Sequence, residues 1–240
     1  FAPHRRAWLA ATAACFVRNV VTAIPCEARP RRRGKLAIVV AAAQPAGLTP
    51  LSWEEEAEAV RAGLAPLSAA GLARIRVERA VTVEALHRLV ADGPCDVLHF
   101  VGHGAWDAER RVGALLLESA SGGAAPVEAP VLRSLLAGRG LSLVVLNACQ
   151  SARGSRSDLA RGVAPALVAA GIPAVVANQF SVLDAAAIVF ARALYRSLAL
   201  GRALGDAARE ARLAVRCDAA CGPLDWAVPV VYARDPGAVL

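Results

Sequence analysis

The chain has 240 residues, 56% hydrophobic and 20% charged, with a mean hydropathy of +0.45; this excludes a disordered polypeptide, which lacks the apolar residues to build a core. Its 19 glycines and 14 prolines follow no period, which excludes collagen-like and low-complexity sequence, and the length suits one large domain or one domain with an appendage. The net charge of +7 lies wholly within residues 1–35, where Arg5, Arg6, Arg18, Arg29, Arg31, Arg32, Arg33 and Lys35 face one acid, Glu27. The remainder is formally neutral, so no direct nucleic-acid binding is expected of the globular part.

Residues 1–34 read as a basic linker or the tail of a preceding region. The apolar stretch from Ala7 to Ile24 is interrupted by Arg18 and Asn19 and ends near Pro25. It is too short and polar to span a membrane, and no tidy cleavage site follows it. No membrane association is expected. Arg31-Arg32-Arg33-Gly34-Lys35 reads as solvated linker, with contact to an acidic partner as the alternative. Methionine is absent even at position 1, which predicts a piece of a longer chain. The six cysteines (Cys15, Cys26, Cys95, Cys149, Cys217, Cys221) are too few and irregular for a disulfide scaffold. Reduced thiols and a cytoplasmic location are expected.

From residue 35 to 240 the pattern predicts one domain of alternating strands and helices. Leu36–Val40 is a buried strand, and Ser52 caps a helix whose first turn carries Glu54, Glu55 and Glu56, favourable to the helix dipole. A strand near Ile75–Val77, a helix from Thr82 to about Ala91 and a strand Asp96–Val101 follow, the last ended by Gly102-His103-Gly104. Ala114–Glu118 is a hairpin strand, Ser121–Gly123 a turn, and a short helix starts by Pro130. Leu143–Leu146 is a strand, Asp158–Ala170 a helix, Ala174–Ala177 a strand, Asp184–Leu200 and Leu204–Val215 helices, and Val228–Tyr232 the last strand. Continuous apolar strands alternating with helices predict an α/β sandwich around a mostly parallel sheet.

In such a sheet reacting groups gather beyond the carboxyl ends of the strands. One end delivers His103 between two glycines, and another delivers Cys149, 46 residues later. One crossover fits in that interval, so a thiol and an imidazole on adjacent loops share a site. A thiol alone is mostly protonated at neutral pH, and a neighbouring imidazole serves as its base. The backbone N–H groups of Gly104 and Cys149 are candidates for binding a developing oxyanion. The same residues also fit a buried core cysteine and a structural histidine. His99, four residues before His103, is expected in the sheet and hydrogen-bonded. Cys217 and Cys221 lack a second ligand pair, the Gly102–Gly104 turn lacks a phosphate-binding lysine, and no metal or other cofactor is expected.

Asp96-Val97-Leu98-His99-Phe100-Val101-Gly102-His103-Gly104 and Val145-Leu146-Asn147-Ala148-Cys149-Gln150-Ser151-Ala152 closely resemble the CHAT domain, a caspase-like, separase-related cysteine peptidase of clan CD. Ala169 through Phe180, Ser181 to Asp184, Leu194-Tyr195 through Arg212, and Trp226-Ala227 continue the likeness in order, over roughly residues 35–235. The resemblance implies a caspase-like three-layer αβα sandwich around a mostly parallel six-stranded sheet. It implies a cysteine endopeptidase with His103 as general base, Cys149 as nucleophile, and the Gly104 and Cys149 amides as oxyanion hole. Asp184 matches an acidic position that, in separases, lines the pocket for a basic P1 side chain, where it would pair bidentately with Arg. Asp184 equally fits an N-cap of the helix beginning there. The implied partners are a protein or peptide substrate and an upstream sensor region such as TPR repeats. The alternatives are a CHAT-like module that serves only binding or signalling, and a small-molecule hydrolase on a similar sheet.

Overall fold

The computed structural model of the chain describes residues 34–107, 109–150, 159–180 and 182–239. The linker expected at 1–33, and Ser151, Asp158 and Ser181, lie outside the described residues, as do the side chains of Cys149 and Gln150. The apolar runs form strands β1 (Leu36–Ala42), β2 (Ala73–Glu78), β3 (Val97–Asp107), β4 (Val112–Glu118), β5 (Ala124–Glu128), β6 (Leu143–Gln150), β7 (Ala174–Asn178) and β8 (Pro229–Ala233). The amphipathic runs form helices α1 (Trp53–Gly63), α2 (Ala65–Ala69), α3 (Val83–Ala91), α4 (Ala129–Leu136), α5 (Leu159–Ala169), α6 (Asp184–Ala199) and α7 (Leu204–Cys217).

The main sheet has the order β2-β1-β3-β6-β7-β8. Its neighbours run parallel except β8, which returns antiparallel to β7. Successive side chains of a strand point to opposite faces, and here both faces are buried. Val39, Leu98, Phe100, Val144 and Leu146 pack on one face with Leu86 and Leu89 of α3, Leu132 of α4 and Leu167 of α5. Ile38, Val40, Val101 and Val145 pack on the other with Val60 of α1, Phe190 and Leu194 of α6, and Ala207 and Ala211 of α7. The expected three layers and mostly parallel sheet are therefore present, but the sheet has eight strands and not six, because β4 and β5 join it beside the end of β3. The expected hairpin is also there: β4 pairs antiparallel with β5.

Two strand ends differ from expectation. The sequence places the end of β3 at Gly102-His103-Gly104, yet the strand continues to Asp107. Its pairing with β1 stops at Ala42–Val101. The vacated edge is taken by β4, antiparallel from His103–Leu116 to Asp107–Val112. Unpaired backbone groups on an open edge need partners, so the local hairpin prolongs the strand. Likewise β6 does not stop at Leu146. Parallel pairing with β3 carries it on through His103–Cys149 to Gly104–Gln150. His103 and Cys149 thus lie within adjacent strands and not on loops beyond them.

The helices of the second face are held close by small residues. A Cβ on Gly63, the last residue of α1, would stand 2.8 Å from the Arg192 carbonyl oxygen and 2.9 Å from Tyr195 Cβ on α6. Backbone cannot yield there as a flexible side chain would, so only glycine permits this approach. Gly63→Ala should therefore lower the unfolding free energy by about 1–3 kcal/mol, read from the midpoint and slope of a urea titration. An unchanged midpoint would mean that α1 and α6 do not meet at this distance.

Candidate active site

The segment between β1 and α1 folds over the end of β3 and is pinned there by Gln44. The Gln44 side-chain amide donates to the Thr49 carbonyl (3.3 Å) and its oxygen accepts from the Leu51 N–H (3.1 Å). The Gln44 N–H donates to Glu118 of β4 (2.8 Å). This segment presents the Thr49 carbonyl to His103, whose Nε2 lies 3.0 Å from it. A carbonyl only accepts, so Nε2 carries the hydrogen and Nδ1 of the neutral imidazole is a bare base. His103 is 1% exposed, and its Nδ1 has no hydrogen-bond partner among the described residues. Burial pushes the imidazole below its ordinary value, partly opposed by the Thr49 hydrogen bond and the negative charge of Asp184. At neutral pH the ring is therefore the free base.

Cys149 is the residue of β6 in register with His103, and Gly104 is in register with Gln150 on one side and Leu115 on the other. The two candidate oxyanion donors, Gly104 and Cys149, are thus both ladder positions. Beside them, Gly102 admits the Phe100 ring and the Ala43 carbonyl, which a Cβ would meet at 2.6 and 3.2 Å. The thiol of Cys95 is buried, which pushes it up to about 12 and leaves it inert as a nucleophile.

Asp184 is the first residue of α6, with Leu183 at the N-cap. It is not the cap expected as the alternative to a pocket residue. Its carboxylate sits at the positive end of the helix and accepts the Ser52 N–H at 2.8 Å. Ser52 does precede α1, but its backbone (φ -79°, ψ 52°) is not in the extended region usual for a cap, and its side chain makes no capping hydrogen bond. Between these two residues lies a small pocket bordered by Ser52, Glu56, Gly102, Asn147, Asp184 and Ile188.

The largest departure from the sequence reading is Glu56. Expected with Glu54 and Glu55 only as a charge in the first turn of the helix, it is 3% exposed. Its Oε1 lies 2.8 Å from His99 Nε2, and its Oε2 accepts from Asn147 Nδ2 at 2.5 Å. His99 Nδ1 lies 3.0 Å from the Tyr195 hydroxyl, and Asn178 Nδ2 donates to Asn147 Oδ1 at 2.7 Å. His99 is thus in the sheet and hydrogen-bonded, as expected, and Asn147 ties elements together beneath Cys149. The sequence does carry a signal for Glu56: it shares the helical stripe of Val60, Gly63 and Leu64, all buried. Among the described residues no cluster of three or more His, Cys, Asp or Glu suits a metal ion, and no helix is long and apolar enough to cross a membrane.

Comparison with known proteins agrees with this architecture. The family model of the CHAT domain matches residues 4–234. No curated protein matches the sequence. The separase of the Saccharomyces cerevisiae separase–securin complex is similar in structure, with a TM-score of 0.48 and 15% identity over 93% of this chain. This chain spans 13% of that separase chain. The structure of pro-sf-caspase-1 is similar with a TM-score of 0.50 and 11% identity, over 83% of this chain and 92% of that one. By its family match and its strand order, the chain belongs to the CHAT domain family and has the caspase-like fold of clan CD cysteine peptidases.

Proposed function

We propose that this chain is a cysteine endopeptidase that uses a His103–Cys149 dyad. The observation that carries the reading is the bare Nδ1 of a buried His103, held by the Thr49 carbonyl on the strand position paired with Cys149. In the acylation step Nδ1 takes the thiol proton as sulfur attacks the peptide carbonyl carbon. The carbonyl π-electrons move to oxygen, where the Gly104 and Cys149 amides receive the charge. When the C–N bond breaks, the imidazolium returns the proton to the leaving amine and a thioester remains. Water then attacks the thioester with His103 again as base, releasing the carboxylic acid and restoring the thiol.

Two features support the finer reading. The pocket beside the dyad is bordered by Asp184, whose carboxylate suits a basic P1 side chain. Gly104 has paired neighbours on both sides, so an oxyanion reaches its N–H only when the end of the sheet opens. That requirement suits an enzyme controlled by a partner or by an upstream sensor region such as TPR repeats, acting on a protein substrate. The same closed ladder also favours a second reading, a CHAT-like interaction module without turnover.

A peptide acyloxymethylketone with Arg at P1 should label Cys149, as mapped by mass spectrometry. Cys149→Ala and His103→Ala should each abolish labelling without unfolding the domain. Asp184→Ala should remove the preference for Arg over an uncharged P1 residue, and an unchanged preference would reject its role in the pocket. A Cys149 that reacts with small alkylating agents but never with these peptides would favour the interaction module.

The pH profile follows from the state of His103. Its depressed pKa means that the inactivation rate should decline only below about pH 6.5, as the ring protonates. Asp184→Asn removes a charge that favours the imidazolium, so this decline should move to still lower pH. A profile falling above pH 6.5, or moving upward in Asp184→Asn, would contradict the assignment of His103 as the base.

A further inference from the structure

The backbone ladder that steadies β6 is incomplete where the chemistry is proposed. On the β7 side the last paired residue is Leu146, opposite Ala177. Asn147 to Gln150 therefore have backbone pairing to β3 alone among the described strands. Side chains take over at this point. Asn178, the next residue of β7, donates to Asn147 Oδ1 (2.7 Å), and Asn147 Nδ2 donates to Glu56 Oε2 (2.5 Å). Asn147 is thereby held between β7 and α1, two residues before Cys149.

Glu56 is held in turn from the other side. Tyr195 is fully buried, which keeps its phenol protonated far above neutral pH. Its hydroxyl lies 3.0 Å from His99 Nδ1, and His99 Nε2 lies 2.8 Å from Glu56 Oε1. With a His99 hydrogen on Nε2 and its Nδ1 accepting, every donor has an acceptor: Tyr195 to His99, His99 to Glu56, Asn178 to Asn147, Asn147 to Glu56. Two donors converge on one carboxylate. A buried carboxylate is costly unless its oxygens are satisfied, and a glutamine of the same shape has one acceptor and a second group that only donates. The buried acid is thus matched to a task that an amide of equal volume cannot perform.

We propose that Glu56 is a positioning residue that, through Asn147, fixes the carboxyl end of β6 and so sets Cys149 against His103. The inference rests on the dyad reading above. It gives Glu56 no contact with substrate or with the reacting atoms. His99 and Tyr195 serve to orient the carboxylate, and Asn178 completes the lateral support that the β7 ladder no longer supplies.

The test is a cycle of four chains: wild type, His103→Ala, Glu56→Gln, and both together. Each is alkylated with iodoacetamide, which has no P1 group, and modification of Cys149 is followed by mass spectrometry across pH. In the wild-type background His103→Ala should slow alkylation of Cys149 by roughly tenfold or more. In the Glu56→Gln background it should change the rate less than about twofold, and the acid limb due to His103 should vanish from the pH profile. Loss of packing alone would not uncouple the two residues while urea titration shows the chain folded. An undiminished His103 effect in folded Glu56→Gln would overturn the proposal. If the wild type itself shows no His103 effect, the dyad reading falls and takes this inference with it. Should Glu56→Gln fail to fold, Asn147→Ser, which leaves the His99–Glu56 contact in place, carries the same comparison with the same two outcomes.

Discussion

The parallel pairing of β3 with β6 is the constraint on which the rest of the structure depends. It runs unbroken from Val97–Leu143 to Gly104–Gln150, through the centre of the sheet. Because side chains alternate faces, a slip of one residue would turn one whole set away from its partners. His99 would leave Glu56, His103 would leave Thr49, and Asn147 would turn from Glu56 and Asn178. The register is held by burial on both faces: Leu98 and Phe100 face one layer of helices while Val97 and Val101 face the other. Strands buried on both faces tolerate no slip that would put His99 or Asn147 into the wholly apolar layer.

The two faces of the sheet have different work. The face covered by α3, α4 and α5 is packed mainly with Leu, Val and Ala around the Phe100 ring, with Tyr232 at its margin. The face under α1, α6 and α7 carries Glu56, His99, His103 and Asn178, all buried. Burying polar groups without partners costs about 1–3 kcal/mol each; Glu56, His99 and Asn178 avoid that cost in one network through Asn147, and His103 has the Thr49 carbonyl on Nε2. The close approach of α1 and α6 at Gly63 is part of that solution. It brings Glu56 and Tyr195, from different helices, to the two nitrogens of one imidazole.

The segment after β1 links this interior to the surface. Gln44, Glu118 and Asp184 each hold a part of it, and between them they aim one carbonyl at His103. Asp184 thus couples the start of α6 to the loop that orients the imidazole. A basic side chain entering the cavity would meet the same carboxylate, so occupancy of that cavity and the setting of His103 share one group.

The local patterns were legible in the sequence: apolar runs for the buried strands, and a helix beginning at Thr82, which stands at its cap with the side chain accepting from the Ala85 N–H. The motifs around His103 and Cys149 also carry the likeness to the family, and His99 stands in the hydrogen-bonded place expected of it. What the sequence could not determine were contacts between residues far apart in the chain. Thr49 to His103 spans 54 residues, Glu56 to Asn147 spans 91, and Ser52 to Asp184 spans 132. The extension of β3 and β6 past their apolar runs belongs with these, since a strand end is decided by whether a neighbouring edge supplies backbone partners. Propensity and periodicity report what each segment prefers; burial of Glu56, the tautomer of His103 and the seat of Asp184 exist only once the sheet brings separate segments together.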